Sequence, residues 1–464
     1  MLNTIAEINQ KIWIPVYILL FVSGFYFSVL TNFLQIRKFF YVLKNTLGKI
    51  FENNKKIEKN SLSQWQALAT ALGSTIGTGN VIGTTAAIIT GGPGSILWLW
   101  IFAILGMITK YAEILLALKY REKDEKHGYS GGPMYYIRNG MKKNKLAFIF
   151  ALILILSSLN IVNLQINSIA LSIKDLTGIE NYISGLFFAF LVGLVIVGGV
   201  KRIGSFSDKA VPFMVIIYFL GAIFTIFTNI DKIIPAFALI FSDAFKFKTA
   251  GSGLLGYTIS SAIHYGVARG GQSCEAGLGT APIVHATAEV DHPVKQGIYG
   301  ILEVFVSSFI ICTMTALVIL TTGIYNRNVY DIVLSKSGIA GLNNLDNAVT
   351  LVSKSFESAM GLKLGGLFLS ITIIFFSITT IIGWALYGEK AVLFIFNKKK
   401  YVFIYKIIFL TTIIIGSISN INFLWEINDI SNALMFILNL IALISLRKIV
   451  IDITKSFFNK KIKS

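Results

Sequence analysis

The groups in this chain best placed to do chemistry are backbone groups. Gly77-Thr78-Gly79-Asn80 lies inside an apolar stretch, 68–89, that otherwise reads as a membrane-spanning helix. Two glycines within three residues weaken that helix at a depth where lipid offers no hydrogen-bond partner. Irregular backbone there is tolerated only where it is buried in protein or lines a cavity. The plainer reading is a kink or close-packed glycines, which are common in membrane helices. A second run, Arg269-Gly270-Gly271-Gln272-Ser273-Cys274-Glu275-Ala276-Gly277, interrupts another apolar segment in the second half of the chain. Interrupted helices at corresponding positions of two halves point to a transport site, so the pair says more than either run alone.

Composition defines the medium these runs must sit in. Of 464 residues 55% are hydrophobic and only 14% charged, with 36 phenylalanines. Such a chain has too little polar surface for a soluble globule, and it holds repeated apolar runs long enough to cross a bilayer. The expected class is an all-α polytopic membrane protein. A net charge of +18 would suggest nucleic acid in a soluble chain. Here Lys and Arg cluster between spans, where they set orientation, and no nucleic-acid partner is expected. Cys274 and Cys312 are the only cysteines and both fall in apolar segments, so no disulfide framework or paired-cysteine metal site is expected. His127, His264, His285 and His292 form no ligand cluster, and His127 and His292 read as loop residues.

The elements that must position the two runs follow from the chain in order. Residues 13–35 form a first span. It reads as retained, because its apolar run exceeds a signal peptide's core, no small-residue cleavage site follows, and the basic excess lies after it. Arg37, Lys38, Lys44, Lys49, Lys55, Lys56 and Lys59 place the next loop in the cytoplasm and the N-terminus outside. The interrupted span at 65–90 runs outward, turns at Gly91-Gly92-Pro93-Gly94, and returns through 95–118 to Lys119, Arg121, Lys123 and Lys126. On that span Lys110 and Glu113, three apart, read as a structural ion pair near the inner interface.

Gly131-Gly132-Pro133-Met134 turns into an amphipathic or re-entrant stretch. The span at 146–173 carries Asn160, Asn163, Gln165, Asn167 and Ser168. Gln165 and Asn167 lie about 200° apart on a helix and cannot both face one pocket. Asn160 with Asn163, or Asn163 with Asn167, can share a face, either as interhelical glue or as cavity lining. Spans at 181–200 and 209–230 follow, then an outer loop with a surface helix at 231–247. The second interrupted span, 252–287, runs inward. Spans at 294–323 (carrying Glu303), 364–396, 401–419 and 430–447 complete the chain, with a long outer loop at 324–360 that holds a short helix at 345–359.

The expectation is eleven spans with the C-terminus in the cytoplasm. Residues 1–36 are an extra N-terminal helix, 37–63 a basic cytoplasmic linker, 64–230 a first five-helix repeat, 231–251 an outer loop, 252–447 a second repeat of opposite orientation, and 448–464 a basic tail. Each repeat opens with an interrupted helix, the inverted-repeat arrangement of secondary transporters.

These motifs resemble the alanine or glycine:cation symporter family. The matching stretches are Gly77-Thr78-Gly79-Asn80; Gly91-Gly92-Pro93-Gly94 with Lys110-Tyr111-Ala112-Glu113 and Lys119-Tyr120-Arg121-Glu122; Gly131-Gly132-Pro133-Met134-Tyr135-Tyr136; Glu275-Ala276-Gly277-Leu278-Gly279 with Ala281-Pro282; His292-Pro293-Val294-Lys295-Gln296-Gly297; and Thr379-Thr380-Ile381-Ile382-Gly383-Trp384 with Tyr387-Gly388-Glu389-Lys390. They run in family order over about residues 65–390. The resemblance implies the leucine-transporter superfold and secondary active uptake of a small neutral amino acid, alanine or glycine first, coupled to inward sodium or proton flow across a bacterial-type inner membrane. It implies no enzyme activity, no cofactor beyond the coupling ion and no obligate protein partner. The chain departs from the family in one place. Where the family usually has Phe-Ser-Asn before Glu-Ala-Gly, this chain has Gln272-Ser273-Cys274, which leaves glutamine or another small polar amino acid as the alternative substrate.

On that reading a zwitterion needs backbone N–H groups at a half-helix N-terminus for its carboxylate, and the break at Gly77, Thr78, Gly79 and Asn80 supplies them. Its ammonium needs carbonyls, expected from the second broken helix near Ala268–Gly271, with Cys274 beside them. Its side chain needs a shaped pocket, which Trp384 is large enough to cap. By resemblance Gln165 reaches the substrate. A monovalent cation asks for oxygens, expected from the carbonyls of Gly73 and Ile76 and the hydroxyls of Thr379 and Thr380. The alternative for both threonines is back-bonding to their own helix. Arg269 and Glu275 could pair across the second break. A channel would need a repeated ring of like residues, and a membrane enzyme would need more than His264 with Glu303, the best pair available.

Overall fold

The structure, a computed structural model, describes residues 2–49, 61–124, 128–245, 255–326, 345–419 and 421–460. His127, the basic residues Lys55, Lys56, Lys59 and Lys126, and the expected loop stretches 246–251 and 327–344 lie outside them. The described residues are mostly helical, at 86%. An unexpected addition is a two-stranded antiparallel pair, Glu122–Asp124 with Gly128–Ser130.

Eight described helices are long and apolar enough to cross a membrane. Two further segments are broken: Gln64–Thr75 continuing as Gly79–Gly83 and Thr84–Gly91, and Leu255–Cys274 followed by Ala281–His285. Asn181–Ile196 is apolar but shorter. Differences in burial sort the spans. The most apolar stretch of Ser95–Lys119 is 83% buried, against 33% for Lys399–Ser417. The first is therefore a central post and the second a wall. The wall's exposed side is a stripe of Phe403, Ile404, Ile407, Ile408 and Ile415, the helical spacing of a lipid-facing surface.

Local signals explain the first broken helix. Ser63 caps it, its hydroxyl accepting from the Gln66 N–H at 3.0 Å, and the Gln66 side chain accepts from the Ser63 N–H at 3.2 Å. Leu62 pairs with the far end of the second broken helix: its N–H donates to Thr287 O at 3.1 Å, and Glu289 N–H donates to Leu62 O at 2.9 Å. Arg121 donates to Ala286 O and Ala288 O at 3.1 and 2.6 Å. The two broken helices are thus bound together at one end.

Several sequence boundaries shift. The span after Asn181–Ile196 begins at Gly199, so Lys201 and Arg202 sit on its first turn rather than in a loop. The span expected as 294–323 contains a wide turn at Phe305–Cys312 between Pro293–Val304 and Thr313–Thr322. No glycine or proline marks that turn. The second break begins at Glu275, not near Ala268–Gly271: Gly271 O accepts the Glu275 N–H at 2.9 Å, so the helix persists through both glycines.

Candidate functional site

The first helix breaks at Ile76, which takes an extended ψ of 94°. Gly77 follows, and its N–H is capped by Asn80 Oδ1 at 3.1 Å. Beyond it Thr78 and Gly79 stand at the head of a new half-helix, where the first N–H groups have no intrahelical partner. These residues line a small cavity together with Ser74 and Thr75 on the first half-helix, Ile161 and Gln165 on Asn144–Thr177, and Thr380 and Trp384 on Leu362–Phe396. The opposite wall is Gln272, Glu275 and Leu278 at the second break, with Asn428, Asn432 and Phe436 from Ile421–Ser445. The free volume is about 60 Å³, room for roughly four to six waters.

Thr380 lies where the first break meets Leu362–Phe396. Its Oγ1 is 3.2 Å from Gly73 O and 3.5 Å from Ile76 O, and it donates to Phe376 O at 2.9 Å. Three oxygens converge there, a hard-ion donor set. The Thr379 hydroxyl turns away, toward Phe376 O at 3.0 Å and Met214 Sδ at 3.3 Å. One residue of helix is about 100° of rotation, so the two hydroxyls point in different directions although Thr379 also lies beside Gly73. Gly77 is there for space. A Cβ on it would stand 2.8 Å from Thr380 Oγ1 and 3.3 Å from Gln165 Nε2.

Of the residues expected at the site, Gly77, Thr78, Gly79, Gln165, Thr380 and Trp384 meet at the cavity. Asn80, Gly271 and Cys274 are not among its lining residues. Asn80 is fully buried behind the break, donating to Ser273 O at 3.0 Å and to Ser307 O at 3.3 Å. Ser307 lies in the wide turn of the neighbouring span, where a helix frees carbonyls. Gly271 faces Phe102, and Cys274 packs at Gly106. Gln165 and Asn167 diverge as their spacing requires: Asn167 donates to Gly416 O and Ser419 O at 3.2 and 2.9 Å.

The expected charge pairs regroup. Lys110 pairs with Glu303 at 3.1 Å, both fully buried, and not with Glu113. Glu303 also accepts from Thr75 Oγ1 at 2.9 Å and meets His285 Nε2 at 3.1 Å; His264 instead packs on Tyr17. Gln296 Nε2 lies 2.8 Å from His285 Nδ1, so the imidazole bridges Gln296 and Glu303. Glu113 accepts from Asn439 Nδ2, which also holds Gly277 O at 2.8 Å. Arg269 bonds Gln272 Oε1 at 2.7 Å, and Gln272 bonds Asp429 Oδ1 at 2.9 Å, while Glu275 takes Thr280 Oγ1 at 2.6 Å.

The sequence reading missed Asn428 and Asn432. Their signal was available, two carboxamides four residues apart in an apolar span, but starting that span at 430 left the first of them outside it.

The architecture is that of known membrane transporters. MhsT in complex with L-phenylalanine superimposes with a TM-score of 0.58 at 12% identity, over 83% of this chain and 89% of that one. A manganese transporter from Eremococcus coleocola gives 0.58 at 13% identity, over 86% and 82%. These likenesses establish the leucine-transporter fold. Sequence narrows the class. The chain belongs to the sodium:alanine symporter family, whose pattern matches residues 1–464. It is 37% identical to the sodium/alanine symporter AgcS of Methanococcus maripaludis, over 98% of this chain and 97% of that one. It is 35% identical to the probable sodium/glutamine symporter GlnT of Bacillus subtilis, over 98% and 90%. An uncharacterized transporter of Haemophilus influenzae is 38% identical over 99% and 96%.

Proposed function

We propose that this protein is a sodium-coupled symporter that takes up a small neutral amino acid by alternating access. The observation that carries the reading is the cavity at the first break. There the half-helix head at Thr78–Gly79, the Thr380 hydroxyl and the Trp384 indole meet in one small space. The N–H groups suit a carboxylate. The oxygens of Gly73, Ile76 and Thr380 suit sodium. The free volume of about 60 Å³ favours alanine or glycine. Glutamine is the second reading, favoured by the polar wall of Gln272, Asn428 and Asn432.

The two broken segments and the shorter Asn181–Ile196 helix, taken as crossings with the eight longer ones, support eleven spans. On this reading 64–230 and 252–447 are inverted repeats, the chain resides in a bacterial-type inner membrane, its N-terminus is outside and its basic loops are cytoplasmic.

The test is uptake of labelled alanine, glycine and glutamine into proteoliposomes, with and without an inward sodium gradient. Saturable accumulation of one of them that collapses without the gradient is expected. Gradient-independent flux, or no amino-acid uptake, rejects the reading.

A further inference from the structure

The wall facing the first break holds two polar side chains with no structural occupation. Asn428 is 2% exposed and Asn432 6%, and the Oδ1 atom of each has no hydrogen-bond partner in the protein. They lie four apart on one helix, hence on one face, and both line the cavity. Buried acceptors are normally paired, and an unpaired one costs free energy that an incoming donor recovers.

The other end of the cavity offers donors, the N–H groups heading the half-helix at Thr78 and Gly79. The wall of Asn428 and Asn432 holds two unpaired amide oxygens, each shut off from solvent, and also carries the Glu275 carboxylate. A zwitterion has this same division. Along the glycine run of the second broken helix three carbonyls already accept a hydrogen bond, Gly271 O from the Glu275 N–H, Gly270 O from Ser273 Oγ at 3.0 Å, and Ser273 O from Asn80.

Resting on the amino-acid reading above, we propose that Asn428 and Asn432 receive the substrate's ammonium group through their side-chain oxygens. They are then binding residues for every substrate, whatever its side chain. The Arg269–Gln272–Asp429 chain runs beside them and is internally bonded.

The experiment measures sodium-driven uptake of whichever of alanine and glutamine the wild type accepts, with competition by alanine, serine, glutamine and N-methylalanine. Asn428→Ala and Asn432→Ala should each weaken all unmethylated amino acids by the same factor, about tenfold, as for loss of one hydrogen bond to a charged group. The sodium concentration for half-maximal uptake should not move. The penalty for N-methylation should shrink in the variants. Asn432→Ser keeps a neutral acceptor and should lose less affinity than Asn432→Ala, which keeps the test valid if an alanine variant misfolds. A loss confined to glutamine and serine overturns the proposal in favour of side-chain recognition. Unchanged affinities in an active protein overturn it alone, whereas a wild type that takes up no amino acid overturns the symport reading and this proposal together.

Discussion

The two broken helices use glycine for different physical ends. At the first break neither Gly77 nor Gly79 adopts a left-handed backbone; the chain turns through an extended Ile76. Gly77 is required because its missing side chain leaves room for Thr380 and Gln165. At the second break Glu275, Gly277 and Gly279 have φ of 51°, 94° and 87°, a path that glycine takes without cost and other residues resist. Each break also has an asparagine at its hub. Asn80 ties Gly77 to Ser273 and Ser307. Asn439 ties Gly277 to Glu113 and accepts from Tyr136. Glycine at the first break makes room beside the cavity, and at the second it permits a left-handed backbone path.

The largest expected effect separates the glycines. Gly77→Ala puts a methyl against Thr380 and should cut sodium-driven uptake by about 100-fold or more, while the protein remains folded in the membrane. Gly79→Ala meets no protein atom within 4 Å and should leave melting unchanged, its uptake reporting whether the methyl enters the cavity. Gly279→Ala should fail differently. A left-handed alanine costs about 1–2 kcal/mol, and its Cβ would stand 2.5 Å from Pro133 Cγ. Reduced thermal stability and yield are expected there. The measurements are uptake and detergent-solubilised melting on the same variants. Equal melting loss for Gly77→Ala and Gly279→Ala would erase the distinction.

Next in size is the hub of the first break. Asn80→Ala removes the cap on Gly77 and the bonds to Ser273 and Ser307. About ten- to a hundredfold weaker amino-acid affinity is expected, because hydrogen bonds that position the break are lost from a buried site. Since Asn80 is not a cavity-lining residue, its effect should be the same for every amino acid tested. A substrate-dependent effect would mean that it touches the ligand.

Much of this arrangement could be read from residue patterns, and what could not has specific causes. Gly77–Asn80 inside an apolar run marked the first break because no lipid partner exists for freed backbone groups. Gly270 and Gly271 misled in the second helix. Gly270, like Gly266 one turn before it, serves close packing against Ser95–Lys119, where a Cβ at Gly266 would stand 2.4 Å from Ser95 O and one at Gly270 3.1 Å from Phe102. A sequence shows a glycine but not whether it frees the backbone or admits a neighbour. Lys110 finds Glu303 across 193 positions, a pairing no helical spacing could suggest, whereas Glu113 three residues away was the local choice. The wide turn at Phe305–Cys312 has no residue signature at all. Its Ser307 carbonyl accepts from Asn80 across the interface and from Cys312 within the turn.

A smaller effect sharpens the cation side. Thr380→Val should raise the sodium concentration for half-maximal uptake by about tenfold through loss of one ligand oxygen. Thr379→Val should leave it unchanged, because that hydroxyl points to Phe376 O and Met214. Equal shifts in the two variants would put both threonine hydroxyls at the ion, with Thr379 turned about its side-chain torsion in the sodium-bound state.

The smallest effect concerns side-chain size. Trp384 is one turn beyond Thr380, so both face the cavity. Its indole is 2% exposed and packs edge-on against Tyr387 at 5.6 Å, which fixes the ring. A rigid indole leaves the first break a short pocket. Trp384→Phe trims one ring and keeps an aromatic face, so the fold should survive where Trp384→Ala would cost about 3–5 kcal/mol. Discrimination by size in an apolar pocket is modest, about 10- to 200-fold per methylene at best. Trp384→Phe should therefore narrow the preference for alanine over leucine or glutamine by a fewfold, with the half-maximal sodium concentration unchanged. Competition by the three amino acids on wild type and variant decides it. Identical profiles would remove Trp384 from the pocket and leave the apolar lining of Ile161, Leu278 and Phe436 as the part that sets substrate size.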